Sequence, residues 1–414
     1  MPPTPTRHPL PRRSLLGAAA AASMLPRSRP ARAQDGPVIR IGVLGDQSGP
    51  YRDFSGPVSV ACAQQAVADS GGDMRVEVLT GDHQNKPDIG AGIARAWFDR
   101  DGLDLIVDVP HSGVALAVSG VAREKDKVLM VSGAGTAELT GPQCSPNTAH
   151  MAYDTWVLAR STGGSLVEAG AKTWFFITAD YAFGHALQRD TATLVEAAGG
   201  KVLGGVRHPF PGTSDFSSFL LQAQASGARV IGLANAGTDT TNCIKQAAEF
   251  GLTRTAKLAG LLVYISDVHA LSLAAAQGLV LTETFYWDLN ERTRALTGRL
   301  RPRTGGVPPG MSQAGVYASV LHYLKTAAAM GAAEAKRSGR ETVARMKAAP
   351  MDDDAFGAGR IRENGIALHP AHLFEVKAPY ESKAPWDYYK PLATVPAERA
   401  FQPLATTGCP LSRG

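Results

Sequence analysis

The sequence predicts an α/β protein built as two similar lobes, each wrapped around its own parallel sheet. Three observations carry this. Strand-like runs rich in β-branched residues alternate with helical stretches of about 10 to 15 residues. The alternation comes in two series, 38–131 and 155–263, each long enough for a complete sheet. The chain has 414 residues, room for two domains, and its 44% hydrophobic content is ordinary for a protein that buries a core.

The first series opens with Val38-Ile39-Arg40-Ile41-Gly42-Val43-Leu44, which reads as a buried strand, and a polar turn follows through Tyr51. Helix 57–68, strand 75–80, helix 89–99, strand 105–109, helix 114–124 and strand 128–131 complete it. The second series reads helix 155–168, strand 173–177, helix 184–198, strand 201–208, helix 216–225, strand 229–233, helix 240–250 and strand 258–263. Such alternation builds β-α-β units and parallel sheets. Beyond it, 279–286 reads as a strand, 313–330 as a long helix with Val316, Val320, Leu321 and Leu324 on one face, and 341–346 as another helix. The pattern then turns antiparallel: strand 356–362, a turn at Glu363-Asn364-Gly365, and short strands 372–377 and 386–390. Residues 391–414 form a proline-bearing tail with no period.

The first 33 residues read as an export signal. Arg12 and Arg13 precede an alanine-rich apolar run, 15–25, too short to span a bilayer, and Ala31-Arg32-Ala33 is a small-x-small cleavage signature before Gln34. The paired arginines resemble a twin-arginine signal, with Gly17 where that pattern often has Lys, so the twin-arginine and general secretion routes both stay open. The segment also accounts for the basic charge. The chain carries a net +5, and 1–33 holds six arginines and no acid, so its removal leaves a net −1. A near-neutral product has no electrostatic footprint for nucleic acid. No later run is long and apolar enough to cross a membrane, so a soluble product is expected.

Four cysteines, Cys62, Cys144, Cys243 and Cys409, match no zinc spacing. Cys62 and Cys243 fall in helical stretches and read as small apolar packing residues. Cys144 and Cys409 fall in loops, where an exported protein can join them and pin the tail; spacing does not decide connectivity.

The ordered fragments that carry a family are Ile41-Gly42-Val43 through Asp46-Gln47-Ser48-Gly49-Pro50-Tyr51, then Ser112-Gly113-Val114-Ala115-Leu116-Ala117 and Val128-Leu129-Met130-Val131-Ser132 through Thr140. Ala179-Asp180-Tyr181-Ala182-Phe183-Gly184, Ile244 through Leu252, Gly359-Arg360-Ile361-Arg362 and Pro385-Trp386-Asp387-Tyr388-Tyr389-Lys390 follow. Each is weak alone; their order and spacing together are specific. The chain resembles the type I periplasmic solute-binding proteins of the branched-chain amino-acid class, over nearly all of its length after residue 33. The resemblance implies two Rossmann-like lobes joined by three crossings, near 152–155, 286–288 and 350–354. Lobe 1 would hold 37–153 and 288–350, lobe 2 would hold 154–287 and 351–395, and 396–414 would be a tail. Tyr153, Asp154, Trp287 and Asp288 would then be hinge residues. The implied role is an ABC importer's receptor: a monomer in the periplasm that binds a small solute and presents it to membrane permease subunits, with no cofactor, metal or catalytic residue.

In open α/β sheets ligands sit beyond the carboxyl ends of strands, where helix N-termini favour anions. Ser112 precedes a helix and suits both capping and a carboxylate, with His111 beside it. Ala134, Gly135 and Thr136 form a small-residue loop that lets backbone approach a solute; in the resembled family this loop and the Ser112 loop hold the carboxylate. Ser48 and Tyr51 come from the first turn. Lobe 2 supplies Tyr181 and Phe183, then Asn235, Ala236 and Asp239, then Tyr264. Amino-acid-binding members place an acid after the strand ending at Val263, and here the loop reads Tyr264-Ile265-Ser266. Asp239 could take that role. The aromatic residues, with Tyr286 and Trp287, instead suit a flat apolar body, so an aromatic or other organic acid is favoured and an amino acid is second. Among rivals, a sensor feeding a signalling receptor would use the same features. An enzyme is disfavoured, with no Gly-x-Ser-x-Gly elbow, P-loop or His-Glu-x-x-His pair. Asp352-Asp353-Asp354 reads as a solvated loop, and His369 and His372 as a surface turn, rather than metal sites.

Overall fold

Strand β1 (Ile39–Gly45) lies inside a five-stranded parallel sheet with β2 (Val76–Asp82), β3 (Leu105–Asp108), β4 (Val128–Val131) and β5 (Thr148–His150), in the order β2-β1-β3-β4-β5. This computed structural model describes residues 37–72, 74–168 and 170–412, with Met1, Pro3 and Thr4; the rest of the expected export segment and its cleavage point lie outside the described residues. β3 and β4 are apolar and buried at almost every position because a parallel sheet is covered on both faces. Leu105, Val107, Val128 and Met130 meet helices Gly56–Asp69 and Met311–Met330, whereas Ile106, Leu129 and Val131 meet helices Pro87–Asp99 and Ser112–Glu124. Helix Met311–Met330 is buried nearly all round, as its composition requires.

The second parallel sheet contains β6 (Thr173–Ala179), β7 (Lys201–His208), β8 (Val230–Ala234) and β9 (Lys257–Gly260), ordered β7-β6-β8-β9. Six further strands follow: β10 (Val280–Glu283), β11 (Met351–Asp353), β12 (Gly357–Ile361), β13 (Ala367–Leu368), β14 (Ala371–Val376) and β15 (Tyr389–Val395). They form two antiparallel sheets, β10-β14-β15 and β11-β12-β13.

Several elements differ from expectation for identifiable reasons. Helix Glu291–Thr304 has only Leu296 and Leu300 as buried apolar residues and contains Pro302, so its pattern is faint; Asn290 caps it, and Arg299 ties it to Asp69 (3.0 Å) and Asp354 (2.8 Å). The expected strand 386–390 is shifted to β15, an edge strand with a bulge at Leu392 beside Pro391, where a proline is tolerated. The triplet Asp352–Asp354 is not a solvated loop. Asp353 is buried and accepts the N–H groups of Ala355 (2.9 Å) and Phe356 (2.8 Å), while Asp352 and Asp354 pair with Arg292. Nor are His369 and His372 a surface turn. His369 is buried between Phe356, stacked at 4.2 Å, and the Met151 carbonyl at 2.9 Å; His372 lies in β14.

The chain leaves the first sheet after β5 through Tyr153 and Asp154, and the Asp154 side chain caps helix Thr155–Leu158 by accepting from Val157 N at 2.9 Å. It comes back between β10 and helix Glu291–Thr304, which packs on helix Gly56–Asp69. β11 and β12 pack on helices Met311–Met330 and Gly339–Ala348. The expected third crossing, near 350–354, thus falls where the chain still touches these two helices. A disulfide joins Cys144 and Cys409 (Cα–Cα 5.7 Å) and holds the tail; Cys62 and Cys243 are free and buried. Among the described residues no helix is long and apolar enough to cross a membrane.

Candidate functional site

The carboxyl ends of β1 and β3 shape one wall of a cleft between the sheets. Asp46, just past β1, accepts from Gly49 N (2.6 Å), Tyr51 N (2.9 Å) and Asn85 Nδ2 (2.6 Å). That folds the first turn tightly and commits the Tyr51 ring to the interior. At the end of β3, Asp108 and Val109 adopt φ values of 81° and 52°. A β-branched residue in this region is an outlier, and such strain gathers at functional sites. Asp108 accepts from Ser55 Oγ at 2.6 Å. Burial raises its carboxyl to about 7, opposed by the Ser55 and Ser59 hydroxyls and reinforced by the charge of Asp46.

The next loop reverses an expected role. His111, not Ser112, caps helix Ser112–Glu124: its Nδ1 accepts from Val114 N at 3.2 Å. Burial, with His83 nearby, pulls the imidazole down to about 3, so it is neutral. The Ser112 hydroxyl is thus spared from capping. Its oxygen accepts from Thr136 N at 3.3 Å, which joins the two predicted carboxylate loops. First-turn N–H groups of a helix lack intrahelical partners, so this corner offers donors to an anion. Thr136 Oγ1 accepts from Glu138 N at 3.4 Å. The Ala134 carbonyl is 2.6 Å from His150 Nε2. Gly135 is there because nothing larger fits: a Cβ would lie 2.8 Å from the Phe183 ring and 3.1 Å from Tyr153.

Aromatic rings fill the space between the lobes. Tyr51 Oη and Tyr181 Oη are 2.5 Å apart across the cleft. Tyr264 donates to the Tyr153 hydroxyl, which donates to the Gly133 carbonyl at 2.5 Å. Phe54 stacks on Tyr264 at 4.3 Å. These rings, with Pro110, Phe183, Ala236 and Leu262, close on one another and leave no room for a water molecule between them. The loop after β8 comes equally close: at Gly237, φ 59°, a Cβ would lie 2.6 Å from the Pro50 carbonyl.

The structure thus brings Tyr51, Gly135, Tyr181, Phe183 and Ala236 to the gap itself, with Tyr264 and His111 stacked on its rings. Ser112, Ala134 and Thr136 are fully buried in the adjoining loops and do not line the gap. Asp239 is buried in the first turn of helix Thr238–Glu249, where burial raises its carboxyl to about 7. Its Oδ2 accepts no hydrogen bond among the described residues and lies 3.7 Å from His208, whose imidazole burial pulls below its ordinary range. Other expectations are not met. Ser48 is exposed and donates to Asp82 (2.8 Å), because Asp46 turns the chain inward only at Tyr51. Asn235 is occupied with Thr240 (2.7 Å) and His208 (3.3 Å) beneath the cleft wall. Tyr286 and Trp287 face away from the cleft and pack near Trp386, whose carbonyl accepts from Trp287 Nε1 at 2.7 Å; Asp288 pairs with Arg294 at 3.1 Å. Sequence reasoning missed Phe54, Phe210 and Leu262. Phe54 follows Tyr51 at short range and carried a usable signal; Phe210, in a loop after β7, carried none.

The sequence model of the family described as periplasmic binding protein matches residues 38–383. The chain belongs to that family. Its fold is the type I periplasmic binding protein fold, and the family is one of solute-binding receptors. This periplasmic binding protein is 49% identical to a periplasmic binding protein from Burkholderia mallei, with a TM-score of 0.87 over 90% of this chain and 99% of that one. It is 36% identical to a branched chain amino acid ABC transporter periplasmic ligand-binding protein from Burkholderia xenovorans, with a TM-score of 0.80 over 91% and 100%. An ABC transporter solute binding protein from R. palustris, in complex with benzoate, shares the fold at 22% identity, with a TM-score of 0.77 over 87% and 98%. No curated protein matches the chain.

Proposed function

We propose that this periplasmic binding protein is the exported receptor of an ABC importer, and that its solute is a small organic acid with a flat apolar body. The observation that carries the proposal is the wall of rings, with Tyr51, Phe54 and Tyr153 on one side and Tyr181, Phe183 and Tyr264 on the other. At one end it meets the Ser112–Thr136 corner, whose hydroxyls and helix N-terminus suit a carboxylate. The importer assignment is supported by the 36% identical relative, an ABC transporter ligand-binding protein. Residues 1–33 would direct export, and Tyr153, Asp154, Trp287 and Asp288 would flex at the crossings.

The mechanism is binding coupled to closure. A solute that touches both lobes only when they meet shifts the population toward the closed form, which permease subunits then recognise. The Tyr51–Tyr181 contact already spans the cleft, so an entering solute has to part those rings. A second reading, an amino acid, is favoured by Asp239, whose Oδ2 has no hydrogen-bond partner among the described residues and which an ammonium group could neutralise.

The test is thermal unfolding of residues 34–414 against benzoates, cinnamates, dicarboxylates, amides and amino acids. A ligand at a hundred times its Kd stabilises by about 2.7 kcal/mol. A shift with aromatic acids alone supports the proposal, and a shift with aliphatic amino acids alone replaces it by the second reading. No shift with any of them overturns both solute classes.

A further inference from the structure

Between His208 and Phe216 the chain is a surface loop in which Pro209, Pro211, Gly212, Ser214 and Asp215 are all exposed. Its one large apolar residue, Phe210, turns inward and is half-buried. The loop is held at both ends. Thr213 Oγ1 donates to the Pro209 carbonyl at 2.7 Å, and Phe216 N donates to Gln246 Oε1 at 2.7 Å. The Phe210 ring stacks on Tyr181 of its own lobe (4.8 Å, 20°) and on Tyr51 of the other lobe (5.0 Å, 22°), and it reaches His111 at 5.8 Å. Tyr51 and Tyr181 line the gap between the lobes, whereas Phe210 does not. It forms a second layer behind the two rings that a solute must part.

Two physical consequences follow from this placement. The contacts with Tyr51 and His111 exist only while the lobes are together, so opening exposes the Phe210 ring to water and is opposed by that exposure. A solute long enough to project past Tyr51 and Tyr181 meets the Phe210 ring, so the ring limits length.

We propose that Phe210 is a specificity and retention residue: a ring carried by the second lobe that seats on Tyr51 and His111 at closure, limits how long a solute the cleft encloses, and slows its escape. The proposal rests on the cleft being the solute site.

One arm of the test needs no solute. Spin labels at Asp88→Cys and Gln222→Cys, exposed positions on helices Pro87–Asp99 and Ser217–Ala225, report the separation of the lobes, since Cys62 and Cys243 are buried. In Phe210→Ala the distance distribution should move toward longer values, with Phe210→Leu between it and the parent. The second arm uses benzoate, 4-hydroxybenzoate and biphenyl-4-carboxylate. Whichever single-ring acid binds the parent should dissociate roughly tenfold faster from Phe210→Ala, in line with one lost aromatic contact. Biphenyl-4-carboxylate should bind Phe210→Ala and not the parent. Unchanged distances together with unchanged dissociation and length limit overturn the proposal. If none of the acids binds the parent, the reading of the solute falls separately, and the distance arm alone decides whether Phe210 holds the lobes together.

Discussion

Asp108→Asn removes a carboxyl whose ionisation the fold opposes. Burial at the end of β3 raises Asp108 from an ordinary 3.8 to about 7, a difference of about 4 kcal/mol between its two protonation states in the folded chain. Because the folded value lies above the unfolded one, the stability this group contributes is fully present below about pH 4 and is lost as pH rises through about 7. Asn is neutral, has the same shape, and keeps an acceptor for the Ser55 hydroxyl at 2.6 Å. It also tolerates the φ of 81° there, so the backbone does not resist the change. At pH 5 the parent has already recovered most of the penalty by binding a proton; at pH 8 it has recovered almost none. Urea unfolding at both values should therefore show the stability difference, variant minus parent, to be about 2.5 kcal/mol larger at pH 8. Asp239 and Glu283, also raised by burial, titrate in both proteins and cancel in this comparison. An equal difference at both pH values would refute the reasoning by showing that Asp108 titrates as an ordinary carboxyl. A difference that is smaller at pH 8 would mean that the carboxylate is stabilised in place.

Other substitutions probe the cleft and the tail. Gly237→Ala puts a Cβ 2.6 Å from the Pro50 carbonyl across the lobes, at a φ of 59°. It should weaken binding of an identified solute at least tenfold by calorimetry, and unchanged affinity would show that the two loops need not touch in the bound form. Ser112→Ala should weaken a carboxylate ligand by about 1.5–3 kcal/mol and its amide by less; equal losses would take the charged end of the solute away from this corner. Cys409→Ser should cost roughly 2–4 kcal/mol. Hydrogen exchange should then rise in helix Ala397–Ala400 while β1 to β4 stay protected, and faster exchange throughout would make the disulfide a global support.

The sequence by itself determined the two parallel sheets. Buried parallel strands are continuous apolar runs, and β3, β4, β6 and β8 are such runs, so their local composition suffices. It also determined which loops bear the cleft, since strand ends and helix starts fall where hydrophobic periodicity changes from two to 3.6. Elements held by distant polar partners were not legible. Helix Glu291–Thr304 depends on Asp69 and Asp354, and the turn at Asp353 depends on being covered. Only the tertiary structure decided that His111 rather than Ser112 caps its helix, that Tyr286 and Trp287 turn away, and that Phe210 reaches across to Tyr51. These outcomes depend on which side chain points into a gap shared by two lobes, and one chain's local pattern carries no information about what stands on the other side of that gap.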